Sequence, residues 1–222
     1  MQNNLKPTFY LDFDSEIIQS FITKLDLQNL TEIEKAKRIY LAVRDEIRYD
    51  PYNIILTPEE VQASLVIKRG YGYCVEKAVT LAACIRAVGI PAKVGFANVK
   101  NHINSKRLQN LMLSDIFVFH GYAEIFLNGK WVKATPAFNK SLCERAGILP
   151  LEFDGEHDSI FHPFDKSGKK HMEYLCDHGS FDDLPYERMI EEYDKSYPHL
   201  KVKENKSFGN VKKAKFEDEV IR

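Results

Sequence analysis

The stretch from Arg69 to Pro91 constrains this chain more than any other. Arg69-Gly-Tyr-Gly-Tyr-Cys74 is a glycine-punctuated loop that runs straight into an apolar-periodic segment, which stops at Gly89 with Pro91 two residues on. Val75, Ala78, Leu81, Ala82, Ile85 and Val88 recur at helical spacing, so the pattern predicts a helix with one buried face and Cys74 in its first turn. Unpaired backbone N–H groups and the positive end of the macrodipole favour an anion there, which predicts a thiol of lowered pKa and nucleophilic character. Cys84, ten residues on, reads as packing. A cysteine at a helix start is commonly no more than a small hydrophobe, so the reading needs a base elsewhere in the chain.

That base is found in a hairpin. Residues 116–127 and 130–136 read as two strands joined by Asn128-Gly129, the strongest short hairpin signal. A two-residue turn pairs Leu127 with Lys130 and Phe126 with Trp131. Continued outward, it pairs Tyr122 with Thr135 and His120 with Ala137, which puts His120, Tyr122, Lys133 and Thr135 on one face. A thiol at a helix start and an imidazole on a strand packed across it are the two essentials of nucleophilic thiol catalysis.

The rest of the chain frames these two. Residues 8–13 alternate as a short strand. Ser15 caps a helix to about residue 25, and Thr31 and Glu34 form a capping box that opens a helix to about residue 48. Thr57-Pro58 starts a third helix that leads into the glycine loop. After Pro91, residues 92–99 read as a strand and 100–114 as a polar connecting loop. Helices followed by antiparallel strands predict an α+β fold in which the Cys-bearing helix packs on the sheet that carries the His.

Gly72-Tyr-Cys74, Arg86-Ala-Val-Gly89-Ile-Pro-Ala92, His120-Gly-Tyr-Ala-Glu124 and Gly129-Lys-Trp131 together resemble the core of the transglutaminase-like superfamily, a branch of the papain-like cysteine enzymes, over residues 55–140. The resemblance implies Cys74 as nucleophile and His120 as base, with the third member an aspartate in a W-x-x-x-D-P pattern. Here that position is Thr135, in Trp131-Val-Lys-Ala-Thr135-Pro136. A threonine hydroxyl accepts a hydrogen bond but supplies no charge. Asn139, or an aspartate of the following segment such as Asp154, are the other candidates to orient the imidazole. Tyr73 or a loop amide would help hold an oxyanion, and Tyr71, Tyr73 and Tyr122 would line an acyl pocket.

Composition narrows the partners. With 31 basic and 32 acidic residues among 222, no phosphate-binding stripe stands out, so nucleic acid is not expected. Four cysteines without paired spacing suit a reducing compartment. The N-terminus lacks an apolar leader and no run approaches a membrane span, so a cytoplasmic protein is expected. The His- and Asp-rich segment 154–178, including His162, Asp165 and His171, matches no metal-ligand spacing. It reads as turns within an irregular lid, 149–185, over the Cys–His cleft, and neither metal nor cofactor is expected. Residues 187–193 offer a short helix. Residues 1–199 read as one domain and 200–222 as a charged tail, disordered or docked. The expected activity is thiol-dependent acyl transfer on a peptide, protein, or small amide or thioester substrate. The alternatives are a catalytically inactive binding module on the same fold and arylamine acetyl transfer.

Overall fold

The computed structural model describes residues 2–101, 105–160, 168, 172–210 and 215–219, so His162, Asp165, Ser167 and His171 lie outside the described residues. In chain order the elements are α1 (Glu16–Thr23), α2 (Glu32–Glu46), β1 (Arg48–Tyr49), β2 (Asn53–Ile55), α3 (Ala63–Arg69), β3 (Tyr71–Gly72), α4 (Cys74–Ala87), β4 (Ala92–Asn101), α5 (Lys106–Met112), β5 (Ile116–Leu127), β6 (Lys130–Ala134), α6 (Lys140–Ala146), β7 (Met172–Phe181), α7 (Tyr186–Ser196), α8 (Val202–Asn205), β8 (Ser207–Asn210) and α9 (Phe216–Glu219).

The local signals act as chemistry dictates. Ser15 Oγ accepts from the Ile18 N–H to start α1. Thr31 and Glu34 close a reciprocal capping box on α2, the Glu34 carboxylate taking the Thr31 N–H at 2.8 Å. Asn128 and Gly129 both take positive φ, 49° and 82°, as a type I′ turn requires. The hairpin register is the expected one from Leu127↔Lys130 to Ala123↔Ala134.

A four-stranded antiparallel sheet in the order β6-β5-β4-β7 forms one layer. α4 packs on β4 and β5, with α1, α2 and α3 on its other side. The helix is therefore buried on every face rather than on one, from Cys74 through Arg86. Its polar residues are satisfied internally, as burial demands. Lys77 Nζ donates to the carbonyls of Arg44 and Ile47 at 2.8 and 2.5 Å, and Thr80 to Glu76. The Arg86 guanidinium donates to the carbonyls of Ala92, Lys6 and Asp182, tying the helix end to the start of β4 and to two distant loops.

Several expectations give way to local competition. Residues 8–13 form turns, because the Thr8 hydroxyl takes the Leu11 N–H and Asp12 takes that of Ser64. The third helix splits into a 3₁₀ turn, Glu59–Val61, and α3, because Gln62 goes extended (ψ 139°) while its amide donates to Phe9 O. The polar stretch after β4 contains α5, capped by Ser105. β6 ends at Ala134, since the Thr135 N–H leaves the hairpin for the Ser159 carbonyl at 3.0 Å. The described parts of the segment expected as a lid, 149–185, pack elsewhere: Phe153 lies on Tyr40 of α2, and β7 is the sheet edge beside β4.

Candidate active site

Cys74 opens α4 because the loop before it is locked. The Glu76 carboxylate, 1% exposed, accepts the Tyr73 N–H at 3.0 Å and meets the Arg69 guanidinium at 2.6 Å. The N-cap geometry and the orientation of the first turn are fixed by this one buried acid. Burial raises the Glu76 pKa to about 7 against the pull of Arg69.

Across from this turn runs the strand that carries His120. Gly121 is pressed against it so closely that an added Cβ would lie 2.8 Å from Val75 Cα and 3.0 Å from the Cys74 carbonyl oxygen. Backbone N–H groups of Gly121 and Val75 are directed at the Cys74 sulfur and favour its anion, but burial outweighs them and pushes the thiol up to about 11. At rest, then, the sulfur is a neutral thiol between a helix start and a strand amide. The lowered pKa expected from the helix terminus alone is overridden, because 8% exposure removes most of the water that would solvate the charge. His120, one residue before Gly121, is 4% exposed and pairs with Ala97 of β4.

Other expected residues are placed differently. The Thr135 hydroxyl is buried and has no hydrogen-bond partner among the described residues, so it does not hold the imidazole. Asn139 accepts the Tyr49 N–H at 2.9 Å and donates to Ser141 and to the Glu217 carboxylate, so its amide is committed to other partners. Asp154 closes its own exposed turn, accepting from the N–H groups of Glu156 and His157 and pairing with the His157 ring, which lowers its pKa. Tyr122 does not line the Cys74 pocket: its hydroxyl donates to Asp177 at 2.9 Å and Lys133 caps its ring, in a separate hollow beside β7. Tyr71 stacks under Arg48 and Arg69. Tyr73 alone of the three tyrosines lines the pocket, its ring buried and its hydroxyl near Tyr193 at 3.5 Å. Its N–H is taken by Glu76, while the Cys74 N–H, like those of Val75 and Gly121, is directed at the Cys74 sulfur.

The pocket over Cys74 is an apolar cavity of about 30 Å³, room for one water, walled by Tyr49 and Ile54 and roofed by Tyr193, Tyr197 and Phe208. The three roof residues come from the last third of the chain: Tyr193 from the helix expected over 187–193, and Phe208 from a charged run in which isolated apolar residues gave no sequence signal. All four cysteines are free; Cys84 and Cys143 are buried and Cys176 is exposed. Among the described residues, no three His, Cys, Asp or Glu side chains gather as a metal site, and no helix is long and apolar enough to cross a membrane.

The transglutaminase-like superfamily matches residues 19–136, an interval that runs from within α1 past the end of β6 and contains Cys74, His120 and Thr135. The chain belongs to the transglutaminase-like superfamily. Among solved structures, a candidate cysteine protease from Cytophaga hutchinsonii is similar at 17% identity and a TM-score of 0.46. The alignment covers 80% of this chain and 55% of that one. No curated protein matches. The family shows an α+β, papain-like thiol-enzyme fold for this transglutaminase-like chain.

Proposed function

We propose that this protein transfers acyl groups through a Cys74 thioester, acting on an amide or isopeptide bond of a peptide, protein or small substrate in the cytoplasm. The observation that carries the reading is the sulfur's position, held between the first turn of α4 and the Gly121 amide, one residue from His120. Cys74 attacks the carbonyl, and its own N–H faces the oxygen that gains charge. His120 takes the thiol proton as the bond forms and returns it to the leaving amine, so a neutral resting thiol suffices. Water or an amine then resolves the thioester. Four free cysteines suit a reducing compartment.

A second reading, a binding module without turnover, is favoured by Thr135, whose hydroxyl makes no hydrogen bond among the described residues where the family pattern places an acid. Intact-mass analysis after incubation with peptide, isopeptide and thioester probes separates the two. Acyl transfer predicts a mass gain on Cys74 that is lost in Cys74→Ala and formed more slowly in His120→Ala. Absence of any adduct, even at high probe concentration, refutes the enzymatic reading.

A further inference from the structure

The pocket over Cys74 is closed by the chain's own C-terminal end. β8 lies antiparallel along β2, Asn210 opposite Asn53 and Gly209 opposite Ile54, and the Leu56 N–H donates to the Lys206 carbonyl at 2.7 Å. This pairing carries Phe208 into the roof, where it is 6% exposed and meets the ring of Tyr193 edge-on at 4.7 Å. Further on, α9 sets Phe216 against Tyr49 and Tyr52. Its acids are fastened from outside, Glu219 by Arg107 at 2.9 Å and by the Tyr52 hydroxyl at 2.7 Å, and Glu217 by Ser141.

The fastening joins two aromatics of the core to exposed polar contacts. Phe208 and Phe216 are isolated apolar residues in a run otherwise rich in Lys, Asn, Ser and Glu, and exposed ion pairs of this kind hold weakly. β2 has no strand partner besides β8 among the described residues. With β8 lifted, residues 53–55 become an unpaired edge beside the thiol, which is the template an extended peptide joins by strand addition.

We propose that β8 and α9 are an intramolecular occupant of the acyl-donor groove, a strap displaced by an extended peptide that pairs with β2 and seats an apolar or aromatic side chain where Phe208 sits. The substrate half of this statement rests on the acyl-transfer reading; the covering of Cys74 does not.

The test is the rate of iodoacetamide labelling at Cys74 in the full chain, resolved site by site by peptide mapping. Phe208→Ala should label Cys74 roughly tenfold faster or more. Arg107→Glu should give roughly two- to fivefold, and the Arg107→Glu/Glu219→Arg pair should return to the parent rate. Cys84, buried in mid-helix, should stay unlabelled throughout, reporting an intact fold. A synthetic Asn-Lys-Ser-Phe-Gly-Asn peptide, the sequence of residues 205–210, should slow labelling of Phe208→Ala, whereas the same peptide with Ala for Phe should not. Unchanged rates in the single variants, or equal effects of the two peptides, would overturn the strap. Faster labelling with no acyl adduct from any thioester probe would support the strap while removing the acyl-transfer reading.

Discussion

The pH dependence of Cys74 alkylation in the parent protein tests the site most directly. Burial lifts this thiol from an ordinary value of 9.0 to about 11, so below pH 9 it holds on the order of one hundredth of the thiolate that a thiol at the ordinary value holds, equivalent to about 3 kcal/mol. The thiolate is the reactive form. Labelling should therefore run slower than at exposed Cys176 in the same molecule and climb about tenfold per pH unit from 7 to 9 without levelling. Stopped-time alkylation followed by peptide mapping gives both rates from one sample, with Cys176 as the internal standard. A plateau of Cys74 reactivity extending down to about pH 6, abolished in His120→Ala, would refute the argument. It would mean that an imidazolium beside the sulfur outweighs desolvation and that the resting state is an ion pair.

Three further outcomes follow from the same contacts. Thr135→Val should leave acyl-adduct formation unchanged and shift urea stability by no more than about 1 kcal/mol, because the hydroxyl it removes makes no hydrogen bond; a fall in adduct formation would show that the hydroxyl orients His120. Gly121→Ala should cost about 1–3 kcal/mol in urea unfolding, since its methyl would lie 2.8 Å from Val75 Cα, and should slow adduct formation in the molecules that still fold. Arg69→Met strips the buried Glu76 of its counter-charge and should cost about 3 kcal/mol at pH 8. Glu76, raised by burial to about 7, favours the protonated form in the folded state, so the stability it supports at low pH is lost as pH rises through that value. The Arg69→Met deficit should accordingly shrink at pH 5, and urea titrations at the two pH values check the difference.

What could be read in advance was local. Thr31 with Glu34, Asn128 with Gly129, and the Gly72-to-Cys74 loop each settle a turn or a cap through a few neighbouring atoms, and the structure reproduces all three. The raised Cys74 pKa has no local signal, because a helix terminus is a local property whereas burial is a property of the whole fold: Tyr193, Tyr197 and Phe208 reach the site from more than a hundred residues away. Tyr122 shows the same limit. Its strand was legible, but the expected pairing with Thr135 does not form because β6 ends at Ala134, and its hydroxyl partner, Asp177, comes from a strand expected to be a lid. Phe208 and Phe216 carry no periodicity at all, since short single-residue anchors in a charged run look like a solvated tail until the groove that receives them is known.

The contact at Gly121 sets how the site would tolerate change elsewhere. Where a nucleophile and a neighbouring strand are spaced by side chains, their separation inherits every rotamer those side chains can adopt. Here the spacer is almost bare peptide, with Val75 Cα, the Cys74 carbonyl and the Ala78 methyl on one side and Gly121 on the other. A joint of that kind has one setting. Substitutions can accumulate across the outer face of the sheet, or in α1 to α3, without retuning the gap at the sulfur, and the one position unable to join in that drift is the residue that has no side chain to vary.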